Sequence, residues 1–274
     1  MRALTPAEES RKDIGRTIAG VSLGGLLVFL FLGAFHHLVA PYAPGAVEVG
    51  PLSLPPSTTY PFGTDLLGRD LWSETLHGLG VTISQAGVGF LIVLIGGSFA
   101  GQAVAHLSGR AGMIARLGAA VLVSIPALLL AILFSMLLGR EFFAIAVGLA
   151  AAPSAFVRSY DRACAVRAAP YSDFARASGL GNLALLRRDL AHELRESFIA
   201  TIVRSLASVT IMLTTMSFFG FGATPPDRDL GLMIASARVS LPEAWWTTLA
   251  PIAVLTLFIL AARLAAGLAG GERP

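Results

Sequence analysis

Six apolar stretches dominate the sequence, at 14–40, 79–105, 117–138, 142–157, 198–221 and 247–268, and none holds more than one Lys, Arg, Asp or Glu. A helix rises 1.5 Å per residue, so about 20 such residues cross the roughly 30 Å hydrocarbon layer of a bilayer. A chain built this way folds in lipid. Composition agrees: 55% of residues are hydrophobic, 14% are charged and the mean hydropathy is +0.73, whereas a soluble domain carries about 25% charge. The expected fold class is all-α transmembrane, with six transmembrane helices. Stretch 142–157 is short, and only Gly139, Arg140 and Glu141 separate it from its predecessor. Residues 117–157 therefore also read as one re-entrant hairpin. The first stretch is read as a retained span. It is longer than the apolar region of a signal peptide, and the sequence around His36, His37 and Pro41 is no small-residue cleavage site.

Charge placement orients the spans, because Lys and Arg in short loops stay on the cytoplasmic side. With a cytoplasmic N-terminus, Arg69, Arg140, Arg228 and Arg238 fall outside and the other sixteen basic residues inside. Eight of the seventeen acids (Glu48, Asp65, Asp70, Glu74, Glu141, Asp227, Asp229 and Glu243) fall outside. A miscount by one span would exchange alternate loops and abolish this bias. Both termini are expected in the cytoplasm, with residues 1–13 an N-terminal segment, 14–268 the membrane domain and 269–274 a tail. The inner excess also suits contact with anionic phospholipid. A net charge of +3 and a pI near 9.5 thus describe membrane topology, and no nucleic-acid partner is expected.

Several chemistries are excluded. Cys164 is the single cysteine, so neither an internal disulfide nor a cysteine-rich zinc site is available. Lys12 is the single lysine and no Gly-rich phosphate loop is present, so the chain builds no lysine-dependent nucleotide site. No catalytic residues are assigned. No metal set is assigned either: His36 and His37 are neighbours, which diverge on a helix, and no His-x-x-x-His occurs. The outer segments 41–78 and 222–246 are rich in Pro, Gly and short polar residues and read as ordered turns. Trp245 and Trp246 precede the last span, where indoles favour the headgroup layer; substrate contact is the second reading. Ser84, Gln85, Thr210, Thr214 and Thr215 are candidate pore-lining residues, although hydrogen bonding between helices explains them equally well. Intramembrane acids are absent from the six stretches, which argues against an ion-coupled carrier. The inner loop 158–196 is charged, with a short amphipathic helix expected around Tyr171–Ala177. Its apolar edge (Phe174, Ala177, Leu180) suits either docking of a cytoplasmic protein or a solvated linker.

Three segments together resemble the C-type inner-membrane permease subunit of ABC importers of the peptide, nickel and opine uptake family. Residues 61–70, PFGTDLLGRD, resemble that family's GTDxxGRD element, on Gly63, Thr64, Asp65, Gly68, Arg69 and Asp70. A structural role in the outer loop is expected of them. Residues 173–179, DFARASG, are similar to the family's EAA loop, with Asp173 in place of the glutamate, Phe174 and Ala175 in place of the alanines, then Arg176, Ala177 and Gly179. Residues 217–226, SFFGFGATPP, followed by Leu230–Met233, resemble its SFLGLGxxPP and WGxM elements. Residues 188–193 read RDLAHE where relatives carry RHxLPN.

The resemblance implies a type I ABC importer permease fold with a cytoplasmic coupling helix at Asp173–Gly179. It implies a homologous B-type permease partner, two ABC ATPase subunits that hold ATP and Mg, and an extracytoplasmic substrate-binding protein. The chain itself would bind no cofactor and would not be an enzyme. The implied location is the bacterial inner membrane and the implied role is half of a pathway for peptides or similar small solutes. Nickel, metal chelates or opine-like compounds are the alternative cargo. A decayed, non-transporting membrane partner is the second alternative, motivated by the altered stretch 188–193.

Overall fold

Asp70 decides where the second apolar block starts to be helical. A computed structural model describes residues 6–107, 109–168, 184, 187, 198–223 and 227–269. In it the Asp70 carboxylate accepts hydrogen bonds from Ser73 N (3.0 Å) and Ser73 Oγ (2.7 Å), the satisfaction an N-cap supplies. Helix α3 therefore begins at Leu71 and runs to Ile92, two turns ahead of the apolar block at Leu79. Those added turns are polar but buried, through Ser73, Glu74, Thr75 and His77.

The other helices are α1 (Pro6–Ala34), α2 (His36–Val39), α4 (Ala100–Leu107), α5 (Gly109–Val123), α6 (Ala127–Leu138), α7 (Phe143–Arg167), α8 (Phe198–Phe218), α9 (Leu230–Ala237) and α10 (Trp246–Ala269). A π-helical segment, Val93–Phe99, links α3 to α4. The described residues form no strand, and the pairing of Thr64 with Asp70 is an isolated bridge.

The chain divides into two units, residues 1–86 with 206–274, and residues 87–205. In the first, α1 packs along α10 and α9 against α10, with Leu79, Leu230 and Met233 buried among Phe29, Leu32, Ile83, Val254 and Leu255. Large apolar side chains remain on the outside, among them Val21, Leu27 and Phe31 on α1 and Leu249, Leu257 and Leu260 on α10. In water this surface would be a liability; in hydrocarbon it is the favoured exterior.

In the second unit α7 packs against the π segment, α4, α5 and α6. Small residues set the approach. A Cβ at Gly97 would lie 2.9 Å from the Ala152 carbonyl, and one at Gly101 would lie 2.5 Å from that of Phe156. Arg116 of α5 forms a two-bond ion pair with Asp161 of α7 (2.9 and 3.0 Å), and Arg167 donates to the Ala105 carbonyl.

Other boundaries differ from the sequence reading as well. The stretch 117–138 is not one straight rod: α5 and α6 meet at 94°. Pro126 lacks an amide hydrogen and forces Ile125 out of helical geometry, and its own backbone is extended (φ −52°, ψ 124°). Helix α7 continues past Val157 to Arg167, so the expected inner loop starts as helix. Helix α1 stops at Ala34 instead of Ala40, because Phe35 (φ −109°, ψ 23°) breaks it before α2.

Among the described residues, three helices are long and apolar enough to cross a membrane: Leu71–His106, Arg140–Ala165 and Trp246–Ala266. The bent pair α5–α6 makes a fourth if it is one span, and Gly20–Ala34, Ile202–Phe218 and Leu230–Ser240 are shorter apolar helices.

Candidate functional site

The tightest network of polar bonds in the first unit surrounds the start of α3. Asp65 Oδ1 accepts from Leu67 N (2.8 Å) and Arg69 N (3.0 Å), and Oδ2 accepts from Arg69 Nε (2.7 Å). One carboxylate thus closes the turn Asp65–Arg69 on itself. Gly63 (φ +77°) and Gly68 (φ +68°) supply left-handed positions on either side. A Cβ at Gly68 would also sit 2.5 Å from the Gly50 carbonyl, so both backbone strain and a backbone clash oppose any side chain. Gly68→Ala is expected to cost about 2 kcal/mol, read as a lower melting temperature of the chain in lipid nanodiscs.

Thr64, fully buried, donates its hydroxyl to the Pro51 carbonyl (2.5 Å) and accepts from Leu54 N (2.8 Å). Its carbonyl accepts from Trp246 Nε1 at 3.0 Å. The Trp pair is therefore split: Trp246 is buried against Leu71, Ala244 and Phe62, while Trp245 is 55% exposed. Headgroup anchoring fits Trp245, whereas Trp246 holds the loop that leads into α3.

Asp229 organises the segment between α8 and α9. Buried to 1% exposure, it caps α9 through Leu232 N (2.9 Å), accepts from Ser217 Oγ at the end of α8 (2.5 Å) and accepts from Ala223 N between them (3.0 Å). Leu230 N then donates to Thr82 Oγ1 of α3 (3.1 Å). Asp229 was not singled out from the sequence, although an Asp just ahead of the apolar run LGLMI is an N-cap signal.

Next to it, Arg228 stands 3.6 Å from Glu74, whose other oxygen accepts from Gly45 N at 2.6 Å. Burial, and then the neighbouring Arg69 guanidinium, push the Arg228 pKa below the ordinary arginine value, with Glu74 opposing. Glu74, Arg228 and Asp227 line a cavity of about 440 Å³ together with His36, His37 and His77.

Among the candidate pore residues, Ser84 borders that cavity and donates to the Val81 carbonyl of its own helix (2.8 Å). Gln85 is half-buried. Thr210, Thr214 and Thr215 donate to the carbonyls of Leu206, Thr210 and Ile211, one turn back in α8 (2.7–2.8 Å). Their hydroxyls are thereby satisfied within α8. Asp173, Phe174, Ala175, Arg176, Ala177 and Gly179 lie outside the described residues.

No protein-family model matches the chain. Curated proteins do. The di/tripeptide transport system permease protein DppC of Pseudomonas aeruginosa is 31% identical over 255 residues, covering 89% of this chain and 84% of the relative. The peptide transport system permease protein SapC of Haemophilus influenzae is 30% identical over 245 residues, covering 86% and 82%. The chain belongs to the C-type permease family of peptide ABC importers. Permeases of this family are membrane subunits, in keeping with the exposed apolar side chains of α1 and α10. The dipeptide transport system permease protein DppC of Haemophilus influenzae, at 28% identity over 257 residues and 87% and 85% coverage, extends the likeness.

Proposed function

We propose that this permease contributes half of the translocation pathway of an ATP-driven importer for peptides or similar small solutes. The observation that carries the reading is the likeness to peptide-transport permeases over most of both chains. Six crossings are assigned to α1, α3 with α4, α5 with α6, α7, α8 and α10, with both termini in the cytoplasm of a bacterial cell. The charge bias supports that orientation, since it places sixteen of twenty basic residues inside.

The pathway's other half comes from a homologous B-type permease, and an extracytoplasmic binding protein delivers cargo. ATP and Mg²⁺ belong to two ATPase subunits. The segment Asp173–Gly179 receives their motion, a two-state element biased by a nucleotide-dependent partner. The outer loops, pinned by Asp65, Asp70, Asp229 and Trp246, give that motion a rigid external frame.

The test is uptake of a panel of di- and oligopeptides and of chelated nickel by a strain lacking this chain and by the complemented strain. Peptide uptake restored by complementation supports the reading; restoration of nickel alone replaces the cargo. Gly179→Pro is expected to keep ATP hydrolysis by the assembled complex while uptake falls at least tenfold, because proline removes an amide donor and restricts its predecessor. Undiminished uptake would remove the coupling role of 173–179.

A further inference from the structure

Three imidazoles, those of His36, His37 and His77, line the cavity beside α3. His36 and His37 are the first two residues of α2, which starts afresh after α1 ends at Ala34. Their ring centroids are 3.7 Å apart, and His77 of α3 stands 5.0 and 5.5 Å from them. One nitrogen from each of the three lies within 4.8 Å of the others. Nitrogens bound to one tetrahedral ion at about 2.1 Å stand about 3.4 Å apart, so small ring rotations suffice to converge them.

Two features orient the cluster. His77 Nε2 lies 2.9 Å from the Tyr42 carbonyl, and a carbonyl only accepts, so that nitrogen carries the proton. The lone pair of His77 then sits on Nδ1, where it accepts a hydrogen bond from His36 Nδ1 at 2.8 Å, the contact that a bound cation would replace. A backbone carbonyl behind a histidine is the usual outer support of a metal ligand. The second feature is Gly80, one turn along α3. A Cβ there would overlap the His36 ring, so the helix is hollowed where that imidazole lies. The cavity leaves room for water or another donor, while Glu74 is turned to Gly45 N and Arg228.

We propose that His36, His37 and His77 form a binding site for a late first-row divalent cation of the Zn²⁺, Ni²⁺ or Cu²⁺ class, with a further position open to the cavity. Neutral imidazoles select such ions over Mg²⁺ and Ca²⁺. The ion clips α2 to α3 and so secures the link between the first span and the outer loop. This inference stands independently of the cargo.

The test uses the full-length chain in lipid nanodiscs, purified without a histidine tag and titrated with CoCl₂ and then ZnCl₂. The expected result is one ion per chain, with a visible Co²⁺ absorption that Zn²⁺ abolishes. His36→Ala and His77→Ala should each weaken binding at least tenfold. Gly80→Ala keeps all three imidazoles, displaces one, and should weaken binding by about 10- to 100-fold. His192→Ala, which removes a histidine elsewhere, should bind as the parent does. A readout on the unaltered chain guards against variants that fail to fold: Zn²⁺ should protect His36, His37 and His77 from diethylpyrocarbonate, mapped by mass spectrometry. Unaltered Zn²⁺ affinity in a folded His36→Ala/His77→Ala chain, or modification of the three rings unaffected by Zn²⁺, would overturn the site.

Discussion

Alanine in place of Asp229 is expected to destabilise the chain by about 3–5 kcal/mol, the range reached when a buried network loses its centre. The carboxylate is almost fully buried and satisfies Leu232 N, Ala223 N and Ser217 Oγ at once. Loss of the cap alone costs about 1 kcal/mol, and each donor left unpaired adds about 1–3 kcal/mol. Asp229→Asn keeps one acceptor oxygen and should recover part of the loss. Thermal unfolding in nanodiscs reads both variants. Equal melting of the alanine variant and the parent would mean that these bonds add nothing net to stability.

Trp246→Ala should cost a similar amount, about 3–5 kcal/mol, as large-to-small changes at buried aromatic positions do. It empties the space between Leu71, Ala244 and Phe62 and orphans the Thr64 carbonyl. Trp246→Phe keeps most of the bulk and should lose about 1 kcal/mol, the net value of one hydrogen bond. Trp245→Ala, at a 55% exposed position, should cost clearly less than Trp246→Ala. If the two alanine variants melt alike, the division of labour between the indoles fails.

These two sites show what the sequence makes visible. Membrane residence was legible because apolar run length answers to bilayer thickness, and residues 61–70 stood out through their resemblance to the family's GTDxxGRD element. The indoles are adjacent, so composition assigned them one role; only the path of the outer loop separates them. Asp229 carried a local signal, its place before an apolar run, but its bonds to Ser217 and Ala223 depend on how α8 turns into α9. The bend at Pro126 was marked by the proline, yet run length outweighed it and the stretch read as one span. The histidine cluster was hidden for two reasons. Its third member lies 40 positions from His37, and the argument that neighbours diverge follows backbone directions, whereas the imidazole rings of His36 and His37 turn toward each other.

The π-helical turn at Val93–Phe99 makes the pitch of this rod locally wide, since its carbonyls bond five residues ahead rather than four. Removing one residue inside it would restore ordinary winding and leave the phase of Ala100–Leu107 nearly unchanged, because the wide turn is what absorbs the extra residue. Gly101 would then keep its place against the Phe156 carbonyl that its missing side chain accommodates. A single-codon deletion at this position is thus a milder lesion than one in the α-helical turns on either side, where it would change the phase of everything downstream.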